Sequence, residues 1–105
     1  MPTIAPGDIL RNRFLRPLNL TASDLAKAMC VSQSVISRII NGKSSITADI
    51  ALRLEKALNV NAQTWLNIQT AHDLEVARKK MEASPVEVLK LYSGDMQDID
   101  RPLKT

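Results

Sequence analysis

The sequence predicts an all-α protein, a five-helix domain built round a helix-turn-helix and followed by a short C-terminal segment that reads as extended. Three observations predict it. Apolar residues recur at the 3.6-residue helical period from Ile9 to Met81. Ser and Thr stand as N-caps before successive periodic stretches. Two of those stretches, within residues 21–43, are short, adjacent and joined by a tight turn.

Each element has its own local signals. Pro6-Gly7-Asp8 opens the first helix, Ile9, Leu10 and Phe14 follow at helical spacing, and Pro17 stops it. Thr21 with Asp24 three residues on is an acidic variant of the capping box, and Leu25, Ala26 and Met29 share one face of the second helix. Ser32 caps the third, whose stripe of Val35, Ile36, Ile39 and Ile40 ends at Asn41-Gly42. Thr47 caps the fourth, with Asp49 in its first turn and Ile50, Ala51, Leu54, Ala57 and Leu58 in register until Asn59.

The fifth helix is the longest, from residues 61–63 to Met81. Its apolar residues form two stripes about 140° apart. Trp65, Ile68 and Val76 make one stripe and Leu66, Leu74, Ala77 and Met81 the other, one for the core and one for a second subunit. Pro85 suits a first helical position, while Val86, Val88 and Tyr92 suit a strand, so residues 86–92 are read as extended. Residues 94–105 carry three aspartates and few large apolar groups and read as a mobile tail. The chain of 105 residues divides into a domain at 1–82 and an extension at 83–105.

Composition excludes several classes of function. The lone Cys30 forbids an internal disulfide, and with the lone His72 it leaves no Cys/His zinc cluster, so neither metal nor cofactor is expected. No apolar run spans a bilayer and the N-terminus is unlike a signal peptide, which points to a cytoplasmic protein away from membranes. There is no glycine-rich phosphate loop, activated nucleophile or recognisable carboxylate pair, so an enzyme is not expected. The net charge is +3, and its distribution is uneven. Residues 1–45 hold six basic and two acidic side chains, the remainder eight and nine, so a phosphate-binding surface is sought in the first half.

Within residues 21–43, Ala26 falls where two crossing helices come closest and a small side chain is needed. Leu25, Met29, Val31, Ile36 and Ile39 must turn inward, leaving Ser32, Gln33, Ser34, Ser37 and Arg38 outside. A face meant only for solvent more often carries Glu and Lys; hydroxyls, an amide and a guanidinium suit base edges. The plainer reading of Arg38 is a pair with an acidic neighbour. Trp65 reads as a core anchor, Cys30 as a small buried turn residue, and His72 as a packing or dimer-surface residue.

Residues 21–43 resemble the helix-turn-helix of phage-repressor-type regulators, and the likeness narrows to the HigA-type antitoxins. It is carried by Pro6-Gly7-Asp8-Ile9-Leu10, Phe14-Leu15, Pro17-Leu18, Asn41-Gly42-Lys43, Ile46-Thr47-Ala48-Asp49, Ala51-Leu52-Arg53-Leu54, Trp65-Leu66-Asn67-Ile68-Gln69 and Asp73-Leu74-Glu75, over about residues 4–80. The chain departs from that pattern at Ala5 and Asp8, where the family has His and Glu, at His72 for Tyr, and at Cys30 for Gly. The resemblance places Cys30 at a turn position of positive φ.

The resemblance implies a homodimer that neutralises a small RelE-like mRNA-cleaving toxin encoded beside it and represses their shared operon at a palindromic operator. It assigns base readout to Gln33, Ser34, Ser37 and Arg38 on the third helix, and phosphate contacts to Thr21, Ser32, Asn41 and Lys43. The dimer surface is expected at Leu66, Leu74, Ala77 and Met81. The alternative is a stand-alone phage-type repressor without a toxin partner.

Overall fold

Five helical elements in chain order make up residues 4–89, the part of the chain described by the computed structural model. The first begins as α1 (Pro6–Ile9), with proline in its first turn where a missing N–H costs nothing. It continues without a break into a π-helical stretch, Leu10–Leu15, closed by the Arg16 N–H donating to the Arg11 carbonyl at 3.0 Å. The sequence gives no sign of this wider winding. Its effect is clear, because an i→i+5 turn brings residues five apart nearly into line, and Leu10 and Leu15 are both buried. Past Pro17 the chain turns through Asn19 at φ 54°, and the Leu20 N–H returns to the Leu15 carbonyl at 2.8 Å.

The helix α2 (Ala22–Met29) starts on the expected capping box: the Asp24 N–H donates to Thr21 Oγ1 at 3.0 Å and the Thr21 N–H to Asp24 Oδ2 at 2.9 Å. Cys30 ends it in the left-handed region at φ 57°, as the resemblance implied, but its side chain is exposed rather than buried. Then α3 (Gln33–Ile40) follows. Ser32 holds the N-cap backbone position without capping through its hydroxyl, which lies 3.1 Å from Ser34 Oγ. Gly42 at φ 73° closes this helix, and the N–H groups of Lys43 and Ser44 both donate to the Arg38 carbonyl, at 2.8 and 3.2 Å.

Thr47 caps α4 (Ala48–Leu58), accepting from the Ile50 N–H at 3.3 Å, and Asn59 terminates it at φ 58°. Asn61 caps α5 (Ala62–Met81), while Glu55 Oε1 accepts from the Ala62 N–H at 2.9 Å and holds the two helices at their junction. Residues 84–89 form neither helix nor strand. The rest of the stretch expected to be extended, and the tail, lie outside the described residues.

The core gathers one face of every helix, with Leu10, Leu25, Ile36, Leu54 and Trp65 the largest fully buried side chains. Each such residue contributes about 1.5–3 kcal/mol by leaving water. Trp65 is the anchor expected of it, its ring centroid 5.2 Å from that of Phe14. Two other contacts join the helices. Arg53 on α4 pairs with Asp49 at 3.0 Å and donates to the Met29 carbonyl at 2.7 Å, satisfying the end of α2. Gly7 lies against the end of α3, where an added Cβ would stand 2.6 Å from the Ile40 carbonyl oxygen. Only glycine lets α1 approach that closely.

The stripes of α5 do not divide round the helix as the sequence suggested. Val76, assigned to the core side, is 41% exposed, and Leu66, assigned to the outer side, packs against the core. The division runs along the helix instead. At 20 residues α5 is about 30 Å long and outruns the helices of 11 residues or fewer on which it lies, so its second half projects.

Candidate nucleic-acid interface

The turn between α2 and α3 is drawn together by the backbone. The Val31 N–H donates to the Ala26 carbonyl at 3.0 Å, and Ala26 is buried between the two helices with Leu25, Met29, Ile36 and Ile39. Val31 is half-buried against the same core. The apolar face of α3 being thus engaged, its other face is left outward. Gln33, Ser34 and Arg38 are exposed there and Ser37 is half-buried. An eight-residue helix is about 12 Å long, the width of a B-DNA major groove.

Arg38 makes no ion pair among the described residues, so the plainer reading of it finds no acidic partner there. Its Nε donates to the Ser34 carbonyl one turn back at the long distance of 3.4 Å, which lays the side chain along the outer face. The guanidinium retains donors for a guanine edge or a phosphate.

Thr21, Ser32, Asn41 and Lys43 are all exposed. Thr21 and Ser32 sit at the N-termini of α2 and α3, where unsatisfied N–H groups and the helix dipole favour anions. Thr21 is already committed to its capping box with Asp24. The Thr21 backbone N–H foremost, then the Thr21 hydroxyl, hold the Asp24 carboxyl below its ordinary value of 3.8, with a smaller contribution from Lys27. Asn41 and Lys43 belong to the exposed loop 41–45 leaving α3. Beside that loop a groove of about 790 Å³ opens between α1 and α5, with Asp8, Arg11 and His72 on its walls.

Of the four residues expected at a dimer surface, Leu66 packs partly on the core while Leu74, Ala77 and Met81 are exposed. Reasoning from sequence passed over three residues that shape this interface: Gly7, Arg53 and the buried Gln69. All three stand in the stretches that carry the resemblance, but their work is done through contacts distant in sequence.

The sequence pattern of the family described as Helix-turn-helix matches residues 10–65. The chain is similar to "Virulence-associated protein I" of Dichelobacter nodosus, 42% identical over 100 residues that cover 95% of this chain and 91% of that one. It is also similar to "Antitoxin HigA-1" of Vibrio cholerae, 36% identical over 89 residues covering 85% and 84% of the two chains. Among solved structures, "antitoxin GraA in complex with its operator" has a TM-score of 0.77 at 34% identity, over 87% of this chain and 95% of that one. By sequence pattern, relatives and fold together, this chain belongs to the helix-turn-helix family and, within it, to the HigA-type antitoxins.

Proposed function

We propose that this protein is a DNA-binding antitoxin and repressor that grips a palindromic operator as a homodimer and neutralises a small RelE-like mRNA-cleaving toxin. The single observation carrying the DNA half is the outer face of α3, where Gln33, Ser34 and Arg38 stand exposed and, among the described residues, no acidic side chain pairs with the guanidinium. Base edges fall to Gln33, Ser34, Ser37 and Arg38. Phosphates fall to Thr21, Ser32, Asn41 and Lys43, which flank that helix in sequence. Operator DNA as the ligand is supported by the likeness in fold to antitoxin GraA in complex with its operator.

The homodimer is supported by apolar surface left uncovered on one part of the chain. Leu74, Val76 and Met81 on the second half of α5 are 46%, 41% and 55% exposed, and Val86, Val88 and Leu89 beyond it are more so. A run of exposed apolar side chains on a small domain marks an interaction surface, and a two-fold axis there would present two copies of α3. For a palindromic site the two copies stand about 34 Å apart, one turn of DNA.

The toxin partner is supported by membership of the antitoxin family. Co-expression with the product of the neighbouring reading frame tests it, together with a gel-shift assay on the DNA upstream. The reading expects a stable complex, loss of the partner's mRNA cleavage, and a shifted duplex. A shifted duplex with no toxin-like neighbour retained would leave a stand-alone repressor, and an unshifted duplex would sink the DNA half.

A further inference from the structure

Gln69 is 8% exposed on the inner side of α5, the one buried polar side chain among the described residues. An amide is buried without penalty only when its donors and acceptors are met. Here both ends are engaged. Gln69 Oε1 accepts from the Ile46 N–H at 2.8 Å, and Gln69 Nε2 donates to Asp73 Oδ1 at 2.9 Å. The orientation of the amide is not arbitrary, since a backbone N–H can only donate and an ionised carboxylate can only accept. Ile46 is itself buried, so its N–H depends on Gln69 for its partner.

Ile46 is the first core residue after loop 41–45, the exposed stretch holding Asn41 and Lys43. The start of that loop is held by α3, through the Arg38 carbonyl that accepts from Lys43 and Ser44. At its far end the loop is held by Gln69, from a helix 23 residues away in sequence. We propose that Gln69 is a positioning residue for DNA binding: it fixes the path on which Lys43 meets the phosphate backbone and ties that path to α5. The proposal rests on the reading of loop 41–45 as a phosphate contact. Asp73, one turn along α5, orients the amide so that its oxygen faces Ile46.

The test measures binding to a duplex covering the DNA upstream of the chain's own reading frame, over a series of salt concentrations. The variants are Gln69→Leu, Gln69→Glu, Lys43→Ala, and the exchanged pair Gln69→Glu with Asp73→Asn. Hydrogen exchange at the Ile46 amide and the thermal midpoint are followed in parallel. Gln69→Leu should expose the Ile46 amide to exchange, weaken binding about tenfold, and lower the salt slope by about one. Gln69→Glu sets two carboxylates together and should weaken binding as well. In the exchanged pair the carboxylate accepts from both Ile46 and the new amide, and affinity should return to within about twofold of wild type.

Loss of global stability alone would lower the thermal midpoint without changing the salt slope, so the slope separates a positioning role from a purely structural one. If Gln69→Leu fails to fold, Gln69→Glu and the exchanged pair carry the test, and a pair no better than the single variant overturns the proposal. If Lys43→Ala lowers affinity and slope while Gln69→Leu, folded and with a freely exchanging Ile46 amide, binds like wild type, the proposal alone falls. If Lys43→Ala changes neither, the loop is not a phosphate contact and the proposal falls with that reading.

Discussion

Cys30 shows how a single backbone angle can outweigh a side chain. It is held at φ 57° and ψ 42°, a conformation that costs a residue with a Cβ about 1 to 2 kcal/mol, and its side chain is exposed, so little packing offsets the strain. Cys30→Gly should therefore stabilise the fold by up to about 1 kcal/mol, read as a higher urea midpoint with unchanged m-value. A lower midpoint would show that the side chain contributes more than the strain removes. The positive φ was foreseeable only through the family resemblance, because nothing in Met29-Cys30-Val31 announces a left-handed residue. The exposure of Cys30 was not foreseen at all.

Among the helices, the elements most legible in the sequence are those whose ends are determined locally. Thr21 with Asp24 and Thr47 each satisfy N–H groups within three residues of themselves, and both helices begin where those residues indicate. What could not be read depends on contacts between distant parts of the chain: the π-helical winding at Leu10–Leu15, the fit of Gly7 against α3, and the hydrogen bond from Ile46 to Gln69. Ser32 illustrates the limit from the other side, a cap by sequence whose hydroxyl turns to Ser34. The capping box of α2 also carries a pH dependence. Its Asp24 carboxyl is held below 3.8, so the stabilisation is fully present above that pH and is lost as pH falls through the lower value of the folded state. An NMR titration of Asp24 should give a midpoint below 3.8, and the difference in thermal midpoint between wild type and Asp24→Ala should shrink in acid. A titration midpoint at or above the ordinary value would contradict the box.

For the molecule as a whole, the division of α5 along its length has the largest consequence. Its first half completes the core through Trp65 and Gln69, and its second half leaves Leu74, Val76 and Met81 in water. Sedimentation without DNA should therefore give a dimer at micromolar concentration, and Leu74→Glu with Met81→Glu should shift it to monomer without unfolding it. A wild-type monomer under those conditions would argue against the two-fold arrangement and against the spacing of the recognition helices. In the proposed complex this arrangement presents α3 to DNA, with bases read by its outer face and phosphates held by the loop beyond it. Binding of Arg38→Ala and Lys43→Ala to operator and scrambled duplexes at several salt concentrations separates the two roles. A bidentate guanidinium–guanine contact is worth about 1–3 kcal/mol of discrimination, so Arg38→Ala should reduce the operator-to-scrambled ratio by about tenfold or more. Lys43→Ala should instead weaken both duplexes alike and lower the salt slope by about one. An unchanged ratio for Arg38→Ala would contradict the account, since α3 would then not be reading bases through the residue best shaped to do so.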